Sequence, residues 1–466
     1  MRKLLIILFL AAQTTFAQHI GFNGSGFFEN YDADVEQYLT DLNAPFTIRF
    51  PGGSISKFHD PYNVRKGWGL SEQSIRHWFE TTGFDEDGNG MEKWLRKAEE
   101  QPDHSYMDDL IALQKKFPQM QVLWVLNVLN STPEANMQAI RYLMQNGVRI
   151  VGVEAGNEVY GKYASFDEYV HDFEPVFKQV RKEFPEIKLA LIVGANLNRK
   201  ELVRWNDAMA QYKGDFDAVV PHYYYTAREL GDAYDMIPLR TNYDPAKENK
   251  DLCKAYEKAA ELLAQHDLLG DGCRYLQQKF PGKEIWITEW NTKPSEMLNN
   301  TILNGIWQFD QLMKIPAMAE YLIIHNGVSP DKYGMISKTN KYDSDPHTMI
   351  RRIGYFAFQL ASEARGAEEW KNGSVPASVP AAKGTYRYYF TNTGSGWEGT
   401  LQVPKGMTAS MQIHYVSGKH LYSGSGTTGY MGKGSVKSYE VTGITRKPFE
   451  GHIPANAFGY VEVTVK

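Results

Sequence analysis

Two glutamates in this 466-residue chain stand where apolar runs end. Glu158 closes Val153-Glu154-Ala155-Gly156-Asn157-Glu158, and Glu289 lies in Ile285-Trp286-Ile287-Thr288-Glu289-Trp290-Asn291. Two carboxylates facing each other across one cleft can divide the cleavage of a glycosidic bond. One protonates the departing oxygen while the other attacks the anomeric carbon. Glu154 precedes Glu158 by four residues, so it points to the same side one layer deeper, where a buried cation such as Arg49 would be its partner. Strand-end glutamates are common, and the pair gains meaning only if the rest of the chain builds a frame that brings them together.

That frame is legible as alternation. Eight short apolar runs, Ile20–Phe27, Phe46–Ser54, Gln121–Asn130, Val148–Glu158, Lys188–Leu197, Phe216–Thr226, Glu284–Lys293 and Ala319–Val328, are separated by amphipathic stretches. Runs of this kind predict parallel strands buried on both faces. The helices between them announce their ends. Val35, Tyr38, Leu39 and Leu42 recur at helical spacing, Thr132-Pro133 reads as N-cap and first turn, Gly147 as a stop, and Ser165 with Glu168 as a capping box. Pro346 after Asp345 predicts the start of a last helix reaching Ala364. Eight strand–helix units make an α/β fold, a (β/α)8 TIM barrel spanning residues 18–365, whose catalytic side chains project from the C-terminal strand ends. An open doubly wound sheet would need a Gly-x-Gly-x-x-Gly turn after its first strand, and the sequence has none. From 366 to 466 aspartate disappears, glycine becomes frequent, and short alternating runs such as Thr385–Phe390 and Tyr460–Val465 predict an antiparallel β-sandwich domain.

With the strands in order, the residues resemble a known group, the retaining glycoside hydrolases of clan A. These carry an Asn-Glu acid/base after strand four and a nucleophilic Glu after strand seven. Arg49-Phe50-Pro51-Gly52-Gly53, Glu154-x-Gly156-Asn157-Glu158 and His222-Tyr223-Tyr224 extend the resemblance to the arabinofuranosidase (family 51-like) type. The resemblance implies Glu158 as acid/base and Glu289 as nucleophile. It further implies substrate-binding roles for Arg49, Asn157, His222 and Tyr224, with Tyr224 also holding Glu289. A nucleophile kept ionised needs donors and a nearby cation, whereas an acid/base needs a raised pKa, expected here from apolar surroundings and the neighbouring carboxylate. The pattern also departs from the type. Thr288 stands where Asp is usual, Ser54 where Asn commonly follows the glycines, and strand eight ends in His325-Asn326-Gly327 instead of a Trp platform. Trp68 and Trp290 are then the aromatics selected as sugar platforms.

Other classes fit less well. A formal charge of −5 leaves no basic excess for nucleic acid. Residues 1–17 read as a secretory signal peptide, with Arg2 and Lys3, an apolar run from Leu4 to Ala12, and Thr15-Phe16-Ala17 before the cut. The expectation is a secreted or periplasmic protein with no membrane anchor. Cys253 and Cys273 are an even pair in an oxidising compartment, which allows one disulfide. No metal and no cofactor are expected: there is no zinc-spaced cluster, and Asp85-x-Asp87-x-Asn89-Gly90 imitates a calcium loop whose twelfth position is Arg96. The glycine-rich run Gly424–Ser435 has Gly434 where a phosphate loop needs Ser or Thr, and reads as a hairpin. The long insertion after strand two, Ile55 to about Ser105, would form a cleft wall. The partner expected is a carbohydrate. Within hydrolases the alternative is a heparanase-like β-glucuronidase or an endo-acting hydrolase of an acidic or sulfated polysaccharide, for which Arg49, Lys57, Arg65 and Lys66 would supply a basic cluster. Outside enzymes it is an inactive carbohydrate-binding protein.

Overall fold

All eight predicted strands form, and they close on themselves. A computed structural model describes residues 19–82, 90–231, 250–293, 296–329, 333–338, 349–374, 379–425 and 441–466. The barrel strands are β1 (His19–Asn23), β2 (Thr47–Phe50), β3 (Gln121–Val125), β4 (Ile150–Glu154), β5 (Lys188–Ile192), β6 (Ala218–Val220), β7 (His222–Tyr225), β8 (Glu284–Thr292) and β9 (Tyr321–Ile324). They run parallel in the order β1 to β6, β6 also pairs with β8, and β9 joins β8 to β1, which seals the ring. The nine segments are eight barrel positions because Pro221 divides the sixth. Proline has no N–H to give the ladder, so β6 stops there and β7 resumes against β8 alone.

Two local irregularities aim the site. β7 pairs with β8 in a register that sets His222 opposite Glu289 and Tyr224 opposite Asn291. The β8–β9 register shifts between Ile287 and Trp290, a bulge spanning Thr288 and Glu289. Bulges bend a strand and redirect its side chains, here at a barrel rim.

The caps predicted at Thr132 and Ser165 form, and Asp32 supplies a third. Asp32, Thr132 and Ser165 each accept a backbone N–H of the first turn of the helices Ala33–Asp41, Pro133–Gln145 and Phe166–Glu183. The long insertion folds as two helices, Glu72–Thr82 and Gly90–Glu99. Its Trp78 and Trp94 pack on Phe58, and Lys162 from the loop after β4 lies over the Trp78 ring. Asp85, Asp87 and Asn89 lie outside the described residues, and Arg96 is on the second of these helices. The last barrel helix departs from expectation. It runs Ile353–Glu363, with Arg352 at its N-cap, while Met349–Arg351 forms a strand against Ile336–Lys338. β-Branched and sulfur-bearing side chains at 349–350 favour that pairing over a first helical turn, and Pro346 itself lies outside the described residues.

Beyond Glu363 the chain enters a five-stranded sheet in which Ala457–Val465 is central, antiparallel to Gly384–Asn392 on one side and Ala409–Ser417 on the other. A two-stranded sheet, Trp397–Glu398 with His452–Ile453, accompanies it. Trp370, Tyr388, Phe390, Trp397, Ile413, Ile453 and Val461 make a second core of their own. Of the glycine-rich run, Gly424 and Ser425 are described and residues 426–435 are not.

The two cysteines are not bridged. Cys253 faces the Tyr422 hydroxyl at 4.0 Å, and Cys273 is buried on the helix Leu268–Lys279, where burial pushes its thiol up to about 12. A helix face sealed under the barrel wall does not present that sulfur to a partner. Thiol titration of the unfolded, unreduced chain should count two free thiols, and the folded chain should react at Cys253 alone. A count of zero would restore the disulfide.

Candidate active site

The floor of the barrel mouth is built around one guanidinium. Arg49 ends β2 pointing inward, with none of its side chain exposed. Its Nε donates to Glu154 Oε2 at 2.8 Å, one terminal nitrogen to Glu289 Oε1 at 2.7 Å, and the other to Asn157 Oδ1 at 2.9 Å. The planar fork of arginine suits this triple duty, and lysine could not reproduce it. Arg49 was expected among the substrate contacts. Its complete burial makes it instead a positioning group beneath the carboxylates.

Glu289 receives two further donors, Asn23 Nδ2 on Oε1 at 3.0 Å and the Tyr224 hydroxyl on Oε2 at 2.7 Å. Burial alone would push its carboxyl up. The charges of His222, His325 and Arg49 and the Tyr224 hydrogen bond outweigh that and hold it far below the usual carboxylate range. Glu158 is held differently. The chain turns at Gly156 (φ 99°) and passes through the left-handed region at Glu158 itself (φ 48°), a strained conformation for a residue with a Cβ and typical of functional sites. Its side chain is 39% exposed against 6% for Glu289, so one carboxylate faces the open cleft and the other forms its floor.

His222 stands between them. Its Nδ1 is 3.0 Å from Glu158 Oε1 and 3.7 Å from Glu289 Oε2, and its Nε2 is 3.4 Å from the Thr288 hydroxyl. One coordinating atom each of Glu158, His222 and Glu289 lie within 4.8 Å of one another. The direction expected for Glu158 is corrected by this neighbour. Burial raises its carboxyl and so does Glu289, but the hydrogen bond and charge of His222, with Lys57 behind them, bring the balance below the ordinary value. His222 is thus the neighbour that brings the Glu158 carboxyl down. Three such groups could also ligate a metal. Arg49 and Asn23 already occupy one oxygen of Glu289 and Tyr224 the other, so a cation would have to displace a buried guanidinium, and the donor set fits a metal poorly.

The other sequence candidates separate cleanly. Asn157 is buried, and with its carbonyl oxygen on Arg49 it has the amide N–H groups left for a ligand. Trp290 and Trp68 are not platforms. Trp290 lies just past the bulge at Thr288 and Glu289, and it packs edge-on to Trp307 with no exposed surface. Trp68 lies among Phe28, Phe50 and Tyr106, and its indole N–H donates to Glu29 at 2.6 Å. Of the supposed basic cluster, Arg65 pairs with Asp108 and Lys66 with Asp103.

Asn23 was missed, although the strand-end rule that selects Glu289 also selects a polar residue closing Gly21-Phe22. Gly52 explains why its turn carries two glycines: with φ 70°, a Cβ there would lie 2.0 Å from Asn23 Oδ1 and dislodge a ligand of Glu289. Tyr333, whose ring is 5.1 Å from His325 and 6.0 Å from Tyr224, adds an aromatic wall, and no periodic signal in the loop marked it.

Removing Arg49 should unfold more than it disables. Arg49→Met leaves Glu154 wholly buried without its cation, so urea denaturation should show a loss of about 3–5 kcal/mol. Adding Glu154→Leu should recover part of that loss, and no recovery would mean that the pair is not the cause.

The architecture is that of a closed (β/α)8 barrel carrying a β-sandwich. The full chain superposes on the GH51 arabinofuranosidase from Xanthomonas axonopodis pv. citri with a TM-score of 0.56 at 14% identity, covering 97% of this chain and 96% of that one. AbfB, a family 51 alpha-L-arabinofuranosidase from Bifidobacterium longum, gives 0.56 at 12% identity over 97% and 93%. A conserved exported protein from Bacteroides fragilis gives 0.50 at 11% over 96% and 98%. No protein-family model and no curated protein matches the sequence. At these identities the likeness establishes the fold.

Proposed function

We propose that the chain is a retaining glycoside hydrolase acting on a poly- or oligosaccharide, with Glu289 as nucleophile and Glu158 as acid/base. One observation carries the reading: an oxygen of Glu158 and an oxygen of Glu289 stand within 4.8 Å of each other at the barrel mouth. Retention needs direct attack by the second carboxylate, which corresponds to a separation of about 5–5.5 Å, whereas an inverting pair leaves about 6.5–9.5 Å for a water. The different settings support the division of labour. Glu289 is ionised and immobilised by three donors, and Glu158 is open to the cleft and hydrogen-bonded to His222. A protein that only binds sugar has no use for opposed carboxylates so arranged.

Arabinofuranoside cleavage is the first specific activity to test, because two neighbours of the same architecture bear that name. Export through the leader at residues 1–17 belongs to the same proposal. Hydrolysis of a panel of aryl glycosides, 4-nitrophenyl α-L-arabinofuranoside among them, and of plant and marine polysaccharides tests the activity. NMR of the first-formed anomer tests retention, and inversion would reject the mechanism.

The His222–Glu158 pair makes the pH profile informative. With Glu289 ionised well into the acid range, the basic limb of kcat/KM reports loss of the Glu158 proton. Glu158 faces lowering from His222 and Lys57 and raising from burial and Glu289. His222→Asn removes the larger lowering influence, so the basic limb should move to higher pH as overall activity falls. A limb that stays in place, or moves down, would separate His222 from the acid/base.

A further inference from the structure

Several cations around the barrel mouth are already paired. Arg49 is consumed beneath the carboxylates, Arg65 by Asp108, Lys66 by Asp103 and Arg199 by Glu201. Lys57 and Lys293 have no carboxylate at ion-pair distance among the described residues. Lys57 ends the 3-10 turn Gly53–Lys57 that follows β2. Asn130 Nδ2, beyond β3, donates to its carbonyl at 2.7 Å and anchors the turn, and its ammonium is near enough to Glu158 to act on that carboxyl. Lys293 follows β8 directly. Its N–H donates to the Tyr225 carbonyl at 2.7 Å, and its Nζ lies 5.6 Å from the centre of the ring of Tyr224, the residue that holds Glu289. One ammonium thus stands on the Glu158 side and the other on the Glu289 side, neither with a carboxylate partner among the described residues.

A chain of net charge −5 with its own carboxylates crowded in the cleft would repel an anionic ligand. Cations on both flanks, without a carboxylate partner among the described residues, offset that field locally. We propose that the cleft takes a saccharide bearing carboxylate or sulfate-ester groups on the sugars beside the cleaved bond, recognised by Lys57 and Lys293. An ammonium is a compact charge with rotatable donors, which suits either anion without demanding bidentate geometry. The assignment rests on the glycosidase reading and names the class of its substrate. It also replaces the four-residue basic cluster expected from sequence by two residues, of which only Lys57 was in that cluster.

Affinity electrophoresis of the full chain carrying Glu289→Gln, which binds without turnover, separates this from the activity itself. The gels contain polygalacturonate, its carboxyl-reduced form, a sulfated galactan or its desulfated form. Stronger retardation by an acidic polymer than by its neutral counterpart, weakened by added salt, is the expected result. Lys57→Met and Lys293→Met should each weaken binding about tenfold, as expected for loss of a hydrogen bond to a charged group. Lys115→Met, at the opposite end of the barrel, should not. Retardation by the carboxylated gel alone assigns a uronate, by the sulfated gel alone a sulfate ester, and by both a general anionic site. Equal retardation by neutral and acidic forms, none by either acidic polymer, or an equal loss with Lys115→Met would overturn the proposal. Failure of the glycosidase reading would show separately, as no hydrolysis of any substrate by the unmodified chain.

Discussion

Glu289→Ala should abolish turnover on every substrate the chain accepts, by a factor on the order of 10⁴ to 10⁶, the scale seen when a covalent nucleophile is removed. The size follows from chemistry and position together. In a double displacement no glycosyl-enzyme forms without the attacking carboxylate, however good the leaving group. The site also holds no substitute: Glu154 is turned away onto Arg49 one layer deeper, and Glu158 lies on the leaving-group side. Stability should change in a different sense from activity. Removing Glu289 leaves Arg49 paired with Glu154 and Asn157, so the guanidinium is not stranded. The inactive variant should therefore fold, and near-normal activity in a folded Glu289→Ala protein would remove Glu289 from the nucleophile's place. A folded, inactive chain that still binds saccharide is the expected signature, measured by parallel thermal unfolding and hydrolysis assays.

How much of this was readable from residues alone depends on whether a local rule existed for each. The eight strands follow from apolar runs between helix caps, since two-sided burial favours apolar residues along most of a run, and the buried exceptions Arg49 and Glu154 pair with each other. Glu154, Asn157, Glu158, His222, Tyr224 and Glu289 were found because strand-end polar residues face the barrel mouth, and Asn23 obeys the same rule. Trp290 shows where the rule stops: a bulge at Thr288 and Glu289 breaks the alternation along β8, and only the packing against Trp307 shows that the indole is core. Trp68 and Tyr333 lie in loops, where no period ties sequence position to direction, and only the packed structure separates a core indole from a cleft wall. The Glu158 carboxyl was expected above its ordinary range because burial and a like charge both raise it. The lowering influence comes from His222, whose approach depends on the break at Pro221 and the register of β7 against β8. Long-range register of that kind has no signature in one sequence. The disulfide fails for a related reason: an even count says nothing about where two helices place their sulfurs.

Glu158→Ala should behave unlike Glu289→Ala, and the contrast tests the assignment of both. Protonation of the leaving oxygen contributes about 10²- to 10⁴-fold, and substrates with a poor, alkoxide-like leaving group should lose about that much. An activated aryl glycoside needs little protonation, so its first step should survive and the glycosyl-enzyme on Glu289 should accumulate as a burst. Its hydrolysis then stalls, because water attacks poorly without a general base. Azide is already an anion and needs no base. Alanine at position 158 also removes a carboxylate that is 39% exposed to the cleft, opening space and lifting a negative charge from the path of an incoming anion. Added azide should therefore restore turnover of Glu158→Ala on the aryl glycoside and do nothing for Glu289→Ala. The product should be a glycosyl azide of retained configuration, since the anion enters from the face the leaving group left while Glu289 still covers the other. An azide product of inverted configuration would place the attack on the bare sugar and exclude the covalent intermediate, and rescue of Glu289→Ala instead would exchange the two roles.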